Sequence, residues 1–134
     1  MYIRPINSSK YKITENRFKE LYYFCLQYDE WIDELKYKKD TMRSPEVKLA
    51  PGSLGVGMPT QELAIRREML EHNCNIIRQA AVDADKELSG YILKAVTHKD
   101  ITYNYLYSIM GIPCSRNTYY DRRRKFYWIL SNLK

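Results

Sequence analysis

Histidine is scarce in this sequence. His72 and His98 are the only two, and neither has cysteine, aspartate or glutamate companions at the spacing of a metal site or a catalytic triad. Zinc chemistry and nucleophilic catalysis both need such sets, so the chain reads as a non-enzyme without a cofactor or metal. Glycine and proline are few, five of each, and three of each fall between Pro45 and Pro59. The glycines there (Gly52, Gly55 and Gly57) have no Gly-Lys-Ser/Thr ending, which excludes a phosphate-binding loop. Cysteine is limited to Cys25, Cys74 and Cys114, odd in number and in no Cys-x-x-Cys pair. A disulfide framework is thereby excluded, and buried thiols in a reducing cytoplasm are expected. No apolar run approaches the ~18 residues of a membrane span, and no signal-peptide pattern occurs. The expectation is a cytoplasmic protein with no membrane partner.

Positive charge and tyrosine are plentiful. The formal net charge is +6, and from His98 onward seven cations face two acids, so +5 of it sits on the last 37 residues. A basic end on a near-neutral body points to a local polyanion site, most often nucleic acid. Thirteen tyrosines are present, six of them beyond residue 100. Their amphipathic rings suit a core edge with the hydroxyl reaching water, and they also hydrogen-bond phosphates.

Periodicity predicts helices throughout. Thr14 is an N-cap candidate for a helix carrying Phe18, Leu21, Tyr22 and Cys25 on one face. This helix is expected to reach Gln27, and then either to continue or to restart at Asp29 with Trp31, Ile32 and Leu35 as its stripe. Residues 41–59 read as a Pro/Gly linker. Thr60 is the next cap candidate, for a long helix whose Leu63, Leu70, Cys74, Ile77, Ala81, Ala84 and Leu88 follow a seven-residue pattern that Arg67 interrupts. That seam fits packing within the chain, or a homodimer of coiled-coil type. Asp83 and Asp85 offer a break and a cap, and a further helix ends near Thr97. After a loop at 98–100, a helix over 101–110 is expected to bury Tyr103, Leu106, Tyr107 and Met110.

The terminal stretch carries the most information. Gly111 permits a sharp corner, Pro113 stops the preceding helix and Ser115 can cap the next one. In the last helix Tyr119, Arg122, Phe126, Ile129, Leu130 and Leu133 share the core-facing side, while Asn117, Asp121, Arg124 and Trp128 lie opposite. Arg116, Tyr120, Arg123 and Tyr127 form a flank. In a helix-turn-helix the second helix enters the DNA major groove N-terminus first. Arg116, Asn117 and Tyr120 are therefore the candidate base readers, since Arg pairs bidentately with guanine and Asn with adenine. Arg123, Arg124 and Lys125 are candidates for phosphates. Asp121 must accept from a base, pair with a neighbouring arginine or repel phosphate. Trp128 is expected to pack against Phe18–Leu35.

The fold class expected is all-α: a C-terminal three-helix helix-turn-helix unit preceded by a long helix and an N-terminal helical segment. Its divisions fall at 1–40, 41–59 and 60–134. This layout, with the pattern Gly111-Ile112, Ser115-Arg116 and Thr118-Tyr119-Tyr120, resembles phage transcriptional regulators of the RinA and ArpU type, whose last part is similar to the helix-turn-helix of sigma-factor region 4. The chain departs from that pattern at Pro113-Cys114, which lengthens the turn and can tilt the second helix. The resemblance implies a phage or prophage regulator of late genes that binds double-stranded DNA and engages host RNA polymerase. A small terminase subunit used in DNA packaging, or a protein-interaction module without DNA binding, are the alternatives.

Overall fold

The structure, a computed structural model, describes the backbone of residues 10–43 and 58–134, and the side chains of 10–37 and 60–134. Six helices make up the described residues, with no strand among them: α1 (Glu15–Cys25), α2 (Tyr28–Arg43), α3 (Met58–Ala84), α4 (Ser89–Thr97), α5 (Tyr103–Ser108) and α6 (Arg116–Leu133). The expected linker at 41–59 lies outside the described residues except at its ends, where 41–43 belong to α2 and 58–59 to α3. Thr60 is not the cap of α3, because that helix is already under way at Met58. Pro59 can sit there, since the first turn of a helix has no intrahelical use for the missing N–H.

The chain forms two compact units, one of Tyr28–Cys74 and the other of the residues up to Gln27 with Asn75–Lys134. In the first unit α2 and α3 are joined by charge. Arg66 grips the Glu34 carboxylate with two N–H groups, at 2.5 and 3.1 Å. Arg67, the residue that breaks the apolar seam, donates to the Leu35 carbonyl at 3.0 Å and to Glu71 at 3.4 Å.

The second unit holds most of the core. α1 starts where the Thr14 hydroxyl accepts from the Arg17 N–H at 3.2 Å, and it buries Phe18, Leu21, Phe24 and Cys25. Those positions recur at three- and four-residue intervals, so one face is apolar. Across from it, α6 buries Tyr119, Phe126, Tyr127 and Leu130. Phe18 meets the Tyr127 ring edge-on, with centroids 5.0 Å apart, and Arg17 donates to the Ser131 carbonyl at 3.0 Å. α4 adds Ile92 and Val96, and the last turns of α3 add Ile77, Ala80, Ala81 and Ala84. Six of the seven seam positions, Leu70 through Leu88, are buried within the chain, while Leu63 is half-buried. The seam is thus spent on intrachain packing.

The joint between α3 and α4 is built by Asp85. Its Oδ1 accepts from the N–H groups of Glu87 and Leu88, at 3.0 and 3.1 Å, which turns the chain at the place where a break and cap were expected.

Burial shapes the titration of this core. The Tyr119 phenol is pushed up to about 12 by desolvation, and desolvation also pushes the fully buried Tyr127 phenol up. An unfolded tyrosine titrates near about 10. A folded-state value above the unfolded one gives stability that is complete below about pH 10 and drains away as pH rises toward the folded value. Each such group costs up to ~1.4 kcal/mol per pH unit in that window. Urea midpoints should therefore fall steeply between about pH 10 and 12, together with the appearance of tyrosinate absorbance. A midpoint that stays level across that range would contradict the burial of Tyr119 and Tyr127.

Candidate nucleic-acid interface

The corner before α6 begins inside α5. α5 ends at Ser108, short of the expected Met110, and Tyr107 is 62% exposed instead of joining the core. Tyr103 and Leu106 do bury. Gly111 adopts φ +69°, the left-handed region, and a Cβ there would meet nothing within 4 Å. Backbone conformation, and not room, is what calls for glycine at this position.

Seven residues, 109–115, separate α5 from α6, longer than the three or four of a minimal helix-turn-helix corner. The Ile109 and Met110 N–H groups close the end of α5 on the Tyr105 carbonyl, at 2.9 and 3.4 Å, and two more hydrogen bonds tie the rest of the turn to that helix. The Ile112 N–H donates to the Leu106 carbonyl at 2.9 Å, and the Tyr103 hydroxyl donates to the Cys114 carbonyl at 2.5 Å. The Pro113-Cys114 insertion is therefore anchored at both of its ends, with Ile112 itself buried.

Ser115 caps α6, its Oγ accepting from the Thr118 N–H at 3.3 Å and donating to the Thr118 hydroxyl at 3.0 Å. Removing such a cap costs about 1 kcal/mol. Ser115→Ala is expected to lower the urea midpoint by that amount, while Ser115→Asp keeps it, because aspartate caps equally well and suits the positive end of the helix dipole. Equal stability of Ser115→Ala and the parent chain would show that the cap contributes nothing.

Beyond the cap, the six candidate residues occupy the first three turns of α6 and divide by environment. Arg116 and Asn117 are exposed, and Tyr120, Arg123, Arg124 and Lys125 are half-buried. The Arg116 guanidinium lies 5.2 Å from the centre of the Tyr103 ring and donates to Asn104 Oδ1 at 2.8 Å. Asn117 and Lys125 form no hydrogen bond or ion pair among the described residues. Tyr120 rests edge-on against Tyr119, with centroids 4.9 Å apart.

Arg123 turns the other way. Its guanidinium sits 5.1 Å from the Tyr127 ring and 5.9 Å from the Phe18 ring, at the joint of α1 and α6. This cation is engaged with the aromatic rings at the core edge. Arg124 reaches Asp121 at 3.9 Å, and its Nε is buried without a hydrogen-bond partner among the described residues.

Asp121 resolves as the partner of an arginine. Arg122 donates to it at 2.7 Å and to Asp85 at 3.0 Å, so one guanidinium joins two carboxylates. That explains how an arginine tolerates the core-facing side of α6, and it neutralises the acid nearest the basic face.

Two aromatic placements differ from the helical-wheel reading. Tyr127, assigned to the flank, is completely buried between Phe18 and Phe126. Trp128 is 38% exposed, and its ring contact among the described residues is with Tyr11, 5.8 Å away. Asn104 escaped the sequence reading altogether; its spacing from Arg116 has no helical period, and only the turn brings the two together.

His98 Nδ1 lies 3.1 Å from the Lys94 carbonyl and 3.0 Å from the Thr97 hydroxyl, a local backbone contact. Among the described residues, no three His, Cys, Asp or Glu side chains gather as a metal site would require, and no helix is long and apolar enough to cross a membrane. No protein family, curated protein or solved structure matches the chain.

Proposed function

We propose that the chain is a sequence-specific DNA-binding transcriptional regulator, acting without chemistry through the N-terminal half of α6. The observation that carries this reading is the exposed pair Arg116 and Asn117 at the start of a capped helix that follows an anchored turn, on the cationic end of the chain. These are the two side chains whose fork and amide geometries match guanine and adenine edges. Lys125 and the outer part of Arg124 are then the phosphate contacts, and Arg123 supports the helix from behind. The phage or prophage setting, with late-gene control and host RNA polymerase as partner, rests on the resemblance of the Gly111–Tyr120 pattern alone.

The test is duplex binding followed by fluorescence anisotropy as salt is raised. Each phosphate contact should contribute about −0.9 to the slope of log affinity against log salt. With the two phosphate contacts of Lys125 and Arg124 engaged, the slope should be about −1.8. No binding even at low salt would remove the reading.

One observation favours a second reading. Tyr105, Tyr107 and Ile109 are exposed at 38, 62 and 68% around α5 and the turn, an apolar surface beside the basic one. A protein-interaction module would use that surface, and its complexes would be insensitive to salt.

A further inference from the structure

The side chain of Arg116 is long and free to rotate, yet in this structure it is held from two directions. One terminal nitrogen donates to Asn104 Oδ1 at 2.8 Å, and the guanidinium stands over the Tyr103 ring at 5.2 Å. Tyr103 is itself fixed: it is 9% exposed, its hydroxyl donates to the Cys114 carbonyl, and its ring packs on Tyr119 at 5.9 Å. Asn104 belongs to α5 and Arg116 to the first turn of α6, so the contact crosses the corner between the two helices.

Resting on the DNA-binding reading above, we propose that Asn104 is a specificity-determining residue of that site, which positions the Arg116 guanidinium for one base pair by accepting its hydrogen bond. An arginine has five N–H donors in a rigid fork. One bond to Asn104 leaves the others for the two acceptors of guanine, and holding the fork in advance spares the ordering cost of an arginine side chain on binding. That cost, for one rotamer-rich side chain, corresponds to about two- to tenfold in affinity. Because a misdirected fork loses only the base contact, the effect falls on sequence preference. Non-specific affinity, which depends on phosphates, is untouched.

The experiment selects a preferred duplex from a randomised duplex pool with the parent chain. Anisotropy then measures that duplex and a scrambled one against Asn104→Ala, Arg116→Ala and the double variant. Both residues are exposed, so thermal melting should stay within a degree or two of the parent, about the size expected for neutral surface changes. Asn104→Ala should weaken the selected duplex by about two- to tenfold and leave the scrambled duplex unchanged. In the Arg116→Ala background, Asn104→Ala should have no further effect. Asn104→Asp should weaken the selected duplex more than alanine does, since a carboxylate grips the guanidinium and adds a negative charge beside DNA.

The inference is overturned, with the DNA-binding reading standing, if the parent selects a preferred duplex and Asn104→Ala binds it unchanged. It is overturned equally if Asn104→Ala weakens both duplexes alike, or if its effect persists in full without Arg116. A parent chain that retains no duplex at low salt overturns the DNA-binding reading and this inference together.

Discussion

Phe18→Ala is expected to destabilise the fold by about 3 to 5 kcal/mol, the range for deleting a fully buried aromatic ring. Phe18 is completely buried and touches three different groups of this unit: the Tyr127 ring at 5.0 Å, the Tyr22 ring at 6.1 Å and the Arg123 guanidinium at 5.9 Å. Its removal leaves a cavity against α6 and also strips one face from Arg123, a cation–π contact worth about 0.5 to 2 kcal/mol by itself. Small domains have only about 5 to 15 kcal/mol in hand, so this variant should melt far below the parent or fail to fold. Tyr127→Phe supplies the control. The Tyr127 hydroxyl is buried with no hydrogen-bond partner among the described residues. Deleting an unsatisfied polar group removes a desolvation penalty of about 1 to 3 kcal/mol, so Tyr127→Phe should be neutral or stabilising. A urea series on both variants checks the pair, and a clear loss for Tyr127→Phe would mean that its hydroxyl is bonded after all.

The second large effect is on DNA. Arg116→Ala should weaken binding of a preferred duplex by about 1 to 3 kcal/mol and relax the choice at one base pair. Arg124→Ala should weaken all duplexes alike and reduce the magnitude of the salt slope by about 1. The physical division is between a group that reads a base edge and a group that neutralises a phosphate. Arg123→Ala separates itself from both: with its guanidinium over Phe18 and Tyr127, the cost should appear in the urea midpoint while the salt slope stays. Affinities across a panel of single-base variants, each at two salt concentrations, distinguish the three. Equal, sequence-independent losses for Arg116→Ala and Arg124→Ala would reduce Arg116 to a phosphate contact.

Local chemistry was the legible part of this chain. Thr14 and Ser115 do what short polar side chains at helix starts do, each bonding backbone three residues away, while Asp85 makes the break and binds the turn ahead of α4, whose own N-cap, Leu88, has no side-chain bond. Gly111 takes the left-handed conformation that the corner needs. The apolar spacing from Leu70 to Ala84 marks a buried face, since burial of a helix follows its 3.6-residue period; Leu88, expected on the same helix, is buried beyond its end. What escaped the reading depends on partners distant in sequence. A helical wheel gives the angle of Tyr127 but not the position of α1, which widens the buried arc of α6 enough to enclose it. Tyr107 lies within α5 next to the buried Leu106, and it is exposed all the same. Arg123 carries a charge that composition assigns to the polyanion site, while its geometry assigns it to two aromatic rings. The Asn104–Arg116 bond is set by the path of the turn, and no periodicity announces it.

The central claim is that the N-terminal half of α6 is the surface that meets duplex DNA. Amide chemical-shift mapping during titration of the folded chain with a double-stranded oligonucleotide tests it most directly. The largest changes should cluster on Arg116, Asn117, Tyr120, Arg124 and Lys125, with Asn104 among them, and should vanish as salt is raised. Shifts that centre instead on α2, or that never appear at low salt, would contradict it.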